Sequence, residues 1–180
     1  MHITAKQIMG WTQSLILNSQ HGTTNKFISA CLTKGGAEGW VQVELDAVYK
    51  TLPGNPAVQR EQAIYTDRNL SVDFLITNAD GVMCIELKVE SLFQSSGDGH
   101  VTIPHGGWKK VQDDVRKLSE DRNATYAAAD ACVVALAWSE ELTSAISQWL
   151  SHSGLEYEQE IIDVVNDSAY RVSVFVIKVG

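Results

Sequence analysis

Residues 72–91, VDFLITNADGVMCIELKVES, decide how this chain is read. Two apolar runs flank the turn-forming tetrad Asn78-Ala79-Asp80-Gly81, which predicts a β-hairpin. Side chains alternate along a strand, so Ser71, Asp73 and Leu75 share one face while Val72, Phe74 and Ile76 share the other. On the second strand Glu86, Lys88 and Glu90 line up opposite Ile85, Leu87 and Val89. Symmetric pairing about the turn brings Asp73 near Glu86. Whether the two share a face depends on register, and a bulge would change it. Charges inside segments that otherwise suit burial need compensation.

Around the hairpin the pattern alternates between elements. Helical spacing covers Thr4 to Asn18, with Ile8, Trp11 and Leu15 as its apolar stripe, and Asn25 to Thr33, which ends at Gly35-Gly36. A third helix, Gly39 to Leu52, stops before the breaker Pro53-Gly54-Asn55-Pro56. Strand-prone runs follow at Val58 to Tyr65, Ser71 to Ile76 and Val82 to Val89. Ser91 to Gly107 reads as a long irregular loop, a kind often tied to function. A helix is predicted from about Gly107 to Asp121, a strand buried on both faces from Ala131 to Trp138, a helix from Glu140 to Leu150, and a last strand in RVSVFVIKVG. The order predicts an α/β fold, a mixed sheet with helices on both faces. With 180 residues and 44% hydrophobic content the chain can bury one substantial core. We expect one domain, with a core over about 38–138, N-terminal helices over 4–33 and a C-terminal helix and strand over 140–180.

The third helix supplies a second charge in an apolar setting. Trp40, Val41, Val43, Leu45, Ala47, Val48 and Leu52 cover an apolar arc, while Gln42, Asp46 and Lys50 fall outside it. Glu44 sits near the middle of that arc and should point at the sheet. Glu44, Asp73 and Glu86 would then be three converging carboxylates. Two anions about 5 Å apart repel by roughly 3 kcal/mol at an effective dielectric near 20. Lys88 offers one positive charge, and a divalent cation would supply the rest. Oxygen ligands without a soft donor suit Mg²⁺ or Mn²⁺. For any one of these residues an ordinary salt bridge, such as Glu86 with a lysine, is the simpler explanation; the joint pattern is harder to explain that way.

These residues resemble the PD-(D/E)XK nuclease superfamily, the restriction-endonuclease-like phosphodiesterases. Asp73 in SVDFLI, twelve intervening residues, then Glu86-Leu87-Lys88 in CIELK match its Asp…Glu-x-Lys hairpin, and Glu44 in GWVQVEL matches its upstream helix glutamate. The likeness spans roughly residues 38–120, with Val72 where the name-giving proline would stand. It implies an αβββαβ core and a metal-dependent nuclease, DNA being the favoured nucleic acid. Asp73, Glu86 and the Leu87 carbonyl would hold Mg²⁺ (or Mn²⁺), with Glu44 completing the shell. A cation-activated water would attack phosphorus, and Lys88 would position it or stabilise the developing charge.

In the helix GWKKVQDDVRKL, Trp108, Val111, Val115 and Leu118 form the stripe, and Gln112, Arg116 and Lys109 lie along one edge, where they could meet a phosphate backbone or simply face solvent. Arg60 and Glu61 read as surface residues. His100 and His105 lie in the glycine-rich loop and are more simply solvated. Trp11, Trp40 and Trp138 belong to core runs, leaving Trp108 as a possible base contact. The net charge of −8 argues against bulk coating of nucleic acid. Cys31, Cys84 and Cys132, an odd number in apolar stretches without Cys-x-x-Cys spacing, suit thiols in a reducing compartment. The chain shows no secretory leader and no membrane span, so a cytoplasmic protein is expected, with a homodimer or a protein partner as further options. The alternative function is a non-catalytic binding or inhibitor protein on the same scaffold, with an acidic surface docking a basic partner.

Overall fold

The structure is a computed structural model that describes residues 2–21, 24–33, 36–91, 94–95, 101–102, 107–164 and 171–180. In chain order the elements are α1 (Ala5–Asn18), β1 (Gln20–His21), β2 (Thr24–Asn25), α2 (Lys26–Cys31), α3 (Glu38–Lys50), β3 (Ala57–Gln62), β4 (Val72–Asn78), β5 (Gly81–Val89), β6 (Gln94–Ser95), β7 (Val101–Thr102), α4 (Gly107–Glu120), β8 (Asp130–Ala137), α5 (Glu140–Ser153), β9 (Tyr157–Asp163) and β10 (Arg171–Val179). Six strands form one mixed sheet in the order β3-β4-β5-β8-β10-β9. Only β5 and β8 run parallel, joined through α4; the other neighbours are antiparallel. A parallel pair needs a crossover of this kind, and the helix supplies it.

Helices cover both faces, as expected. Ile8, Ile16, Phe27, Val41, Leu45 and Tyr49 from α1, α2 and α3 pack on Phe74, Ile76, Ile85, Leu87, Val134 and Val174. Val111, Val115, Leu118, Ile146 and Leu150 from α4 and α5 pack on Leu75, Cys84, Val133, Ala135 and Phe175. The apolar run in β8 is explained by this double burial: every residue from Ala131 to Ala137 is buried. Local signals set the helix ends. Thr4 and Gln7 form a reciprocal capping box on α1, Ser139 caps α5, and Gly154 closes α5 in the left-handed conformation at φ 73°.

Two departures from the sequence reading stand out. The strand β9 was not anticipated: its sequence YEQEIID is exposed except at Ile162, because β9 is a sheet edge and lacks the apolar alternation that signals a strand. The strand before the hairpin, β3, ends at Gln62, short of Tyr65, which turns inward and makes an isolated bridge to Arg122. His100 and His105 lie outside the described residues. Among those described, no helix is long and apolar enough to cross a membrane.

Glu61 in β3 adopts φ 54°, a left-handed conformation that ordinary side chains avoid. It stands where the β3–β4 register would set it against Asp73, between the paired Arg60–Phe74 and Gln62–Val72. Valine normally favours strands, but here Glu61→Val should lower stability by about 1 kcal/mol or more, while Glu61→Gly should be neutral or stabilising. Chemical denaturation of the two variants checks this.

Candidate functional site

The β4–β5 ladder runs from Asn78–Gly81 to Phe74–Ile85 and stops there. The next pair in that register is Asp73 and Glu86. Alternation also breaks at this point, because Val72 packs in the cluster under α4 and α5 whereas Phe74 packs in the cluster under α1, α2 and α3. The strands therefore part at Asp73, and its carboxylate fills the gap. The Leu87 backbone N–H donates to one Asp73 oxygen at 2.6 Å, and Gln42 Nε2 of α3 donates to the other at 2.7 Å. Arg60 in turn donates to Gln42 Oε1 at 2.9 Å, so the orienting amide is itself held.

Glu86, buried on β5, accepts a short hydrogen bond from the Tyr65 hydroxyl. That bond explains the inward turn of Tyr65. Burial pushes the Glu86 carboxyl up to about 8, with the neighbouring Asp73 adding to the rise; the Tyr65 hydrogen bond and Lys117 oppose it. From α4, Lys117 Nζ stands 3.7 Å from Glu86 Oε1 and 2.6 Å from Asp114 Oδ1. Lys88 lies between Glu38 Oε1 of α3 at 3.5 Å and Asp114 Oδ2 at 3.7 Å. Burial opposes its charge, but Glu38 and Asp114, backed by Asp73 and Glu86, hold its pKa above the ordinary lysine value. Glu38 also accepts from the Val89 N–H at 3.2 Å. Glu90, two residues beyond Lys88, serves the fold: it accepts from the N–H groups of Trp138 and Ser139 at the start of α5.

Asp73, Glu86 and Lys88 are thus brought together, and the Leu87 backbone lies between them. Glu44 takes no part in these contacts. It lies two residues, or roughly 200° of helix, from Gln42, on the flank of Trp40, whose ring meets Phe27 of α2. The apolar arc drawn from sequence was centred too far round, because Val43 and Ala47 are exposed and the buried stripe is Val41, Leu45 and Tyr49. The α3 residues facing the hairpin are Glu38 and Gln42. On α4 the buried stripe is the expected one, through Val111, Val115 and Leu118. Gln112 is half-buried, Lys109 is exposed beside the Trp108 ring, and Arg116 is exposed 3.8 Å from Asp113, all on the flank away from Asp114 and Lys117. Glu38, Gln42, Tyr65, Asp114 and Lys117 are the site residues that sequence reasoning missed; for Asp114 its position three after Val111 and four before Leu118, beside the apolar stripe, was the available signal.

Among the described residues no three His, Cys, Asp or Glu side chains stand in a metal-ligating arrangement, the carboxylates being held by Gln42, Tyr65 and the lysines. The donor chemistry nonetheless fits a hard divalent cation. All the acidic donors are oxygens, Glu86 is disfavoured as an anion by its burial, and the buried Asp114 Oδ2 has no hydrogen-bond partner among the described residues. Comparisons with protein-family models, curated proteins and solved structures gave no match for this chain.

With a chelator present, folded Glu86 retains its proton between the ordinary carboxyl value of 4.5 and about 8, where the unfolded chain has lost it. The native state binds the extra proton in that window, so this group's contribution to stability falls as pH rises through it. Glu86→Gln should flatten the decline between pH 5 and 8.5, which denaturation midpoints at several pH values measure.

Proposed function

We propose that this chain is a metal-dependent nuclease of the restriction-endonuclease-like kind, hydrolysing phosphodiester bonds, with DNA the favoured substrate. One observation carries the reading: Asp73 sits at the fork of the hairpin opposite the buried Glu86, with Lys88 two residues along the same strand. The order α3, β3, β4, β5, α4, β8 agrees with an αβββαβ core. Asp73, Glu86 and the carbonyl of Leu87 would hold Mg²⁺ or Mn²⁺. Such an ion, when bound, supplies positive charge against the phosphate and lowers the pKa of water.

The protein's own groups do the positioning. Gln42 and the Leu87 N–H fix both oxygens of Asp73, and Tyr65 fixes Glu86. Lys88, kept charged by Glu38 and Asp114, would stabilise the negative charge that grows on the phosphate oxygens. The exposed Lys109 and Arg116 are available for phosphates further along a strand. Three buried free cysteines agree with a cytoplasmic setting.

A second reading, a non-catalytic domain that binds a basic partner through its acidic surface, is favoured by the lysines that already neutralise the carboxylates. Metal binding separates the two. For the nuclease, Mn²⁺ titrates calorimetrically into the protein, nucleic acid is cut with Mg²⁺ or Mn²⁺ and not with chelator, and Asp73→Asn or Lys88→Ala lowers cleavage by about 100-fold or more. Glu44→Gln should stay within a few-fold of wild type. Neither metal uptake nor cleavage by the wild type would leave the binding domain.

A further inference from the structure

Asp114 is only 5 % exposed, and an aspartate is rarely buried to this degree unless it is paired. Its two oxygens serve two different lysines: Oδ1 meets Lys117 at 2.6 Å and Oδ2 faces Lys88 at 3.7 Å. Charges then alternate along Glu38 of α3, Lys88 of β5, and Asp114 and Lys117 of α4, with Lys117 also reaching the carboxyl of Glu86 on β5. Stability alone does not account for this placement. A pair three residues apart on a helix forms as well in solvent, and taking it out of water removes hydration that the pair only partly restores. Both lysine side chains remain about a quarter exposed, 27 % and 24 %, so each meets solvent in part while the anion between them is closed off.

We infer that Asp114 is a positioning residue that clamps Lys88 and Lys117 side by side, and that Lys117 is a second amine presented to the phosphate next to Lys88. The clamp is a statement about the folded chain by itself; the role of Lys117 toward phosphate rests on the nuclease reading above. Two ammonium groups held on one buried carboxylate meet a phosphate in a fixed geometry, so little reorganisation is left for the moment of reaction. Asp114 would then act through the lysines without touching the substrate.

Per-residue acylation of lysine amines in the full chain, followed by mass spectrometry, reads the clamp directly. In the wild type Lys88 and Lys117 should react much more slowly than the exposed Lys109. In Asp114→Asn both should speed up several-fold, with Lys109 unchanged and the melting temperature shifted by no more than a few degrees. Acceleration of Lys117 alone would overturn the clamp, reducing Asp114 to a local helix pair. Should Asp114→Asn fail to fold, Asp114→Glu, which keeps the charge, must protect both amines, and loss of protection there overturns the clamp equally. For the phosphate role, Asp114→Asn and Lys117→Gln should lower kcat about tenfold or more with KM for nucleic acid nearly unchanged. An active wild type whose kcat is insensitive to both variants overturns that role. A wild type that cuts nothing while the labelling pattern holds removes the nuclease reading, and the phosphate role with it, and leaves the clamp standing.

Discussion

The separation of β4 from β5 at Asp73 is the constraint on which the rest of the site depends. Had the ladder continued, the Leu87 N–H would have bonded to a backbone carbonyl, and Asp73 would have been an ordinary strand residue. Instead the carboxylate takes over the acceptor's role, so its position is as fixed as a backbone atom's. The neighbouring strand bends to match: Glu61, set against Asp73, is the residue with positive φ in β3. Backbone strain of this sort persists only where surrounding packing enforces it, and here it is enforced next to the charged cluster.

Charge balance explains how four acidic groups coexist in so small a volume. Glu38, Asp73, Glu86 and Asp114 carry four potential negative charges against two lysines, and burial makes each unpaired anion expensive. The molecule answers in two ways. Lys88 and Lys117 are inserted between carboxylates, and Glu86, the most enclosed of those on the sheet, is pushed towards its neutral form. A divalent cation would be a third way, and would replace a proton by a fixed charge. The same reasoning would let an acidic chain take the polyanionic substrate proposed above, since affinity would come from this local set and a cation and not from the overall charge.

Hydrogen bonds tie the site to the scaffold across several elements. Gln42 joins α3 to the hairpin, Arg60 holds Gln42, Tyr65 reaches Glu86 from the segment after β3, and Glu90 anchors the end of β5 to the start of α5. Each bond connects separate segments, so α3, the hairpin and the start of α5 are registered against one another by polar contacts whose loss would leave a polar group short of a partner.

What could be read from the chain alone was whatever depends on local period, which set Asp73 near Glu86 without showing that the strands part there. The turn at Asn78 to Gly81, the nearness of Asp73 to Glu86, the doubly buried β8 and the ends of most helices follow from strand alternation and from turn and cap chemistry. The edge strand β9 escaped notice because exposure on nearly all its residues erases the apolar signal. Rotation of α3 about its own axis was decided only by tertiary packing. Two near-equivalent faces of α3 carry apolar residues, and contact with the sheet and with α1 selects the one through Val41, Leu45 and Tyr49, which brings Glu38 and Gln42 to the site and turns Glu44 aside. On α4 the stripe is the expected one, but that Asp114 at its edge is buried and meets Lys88 of β5 was decided by packing. A charged residue buried against an opposite charge from a distant segment looks like a surface residue until the partner is known, because what stabilises it is a neighbour in space with no trace in the local sequence.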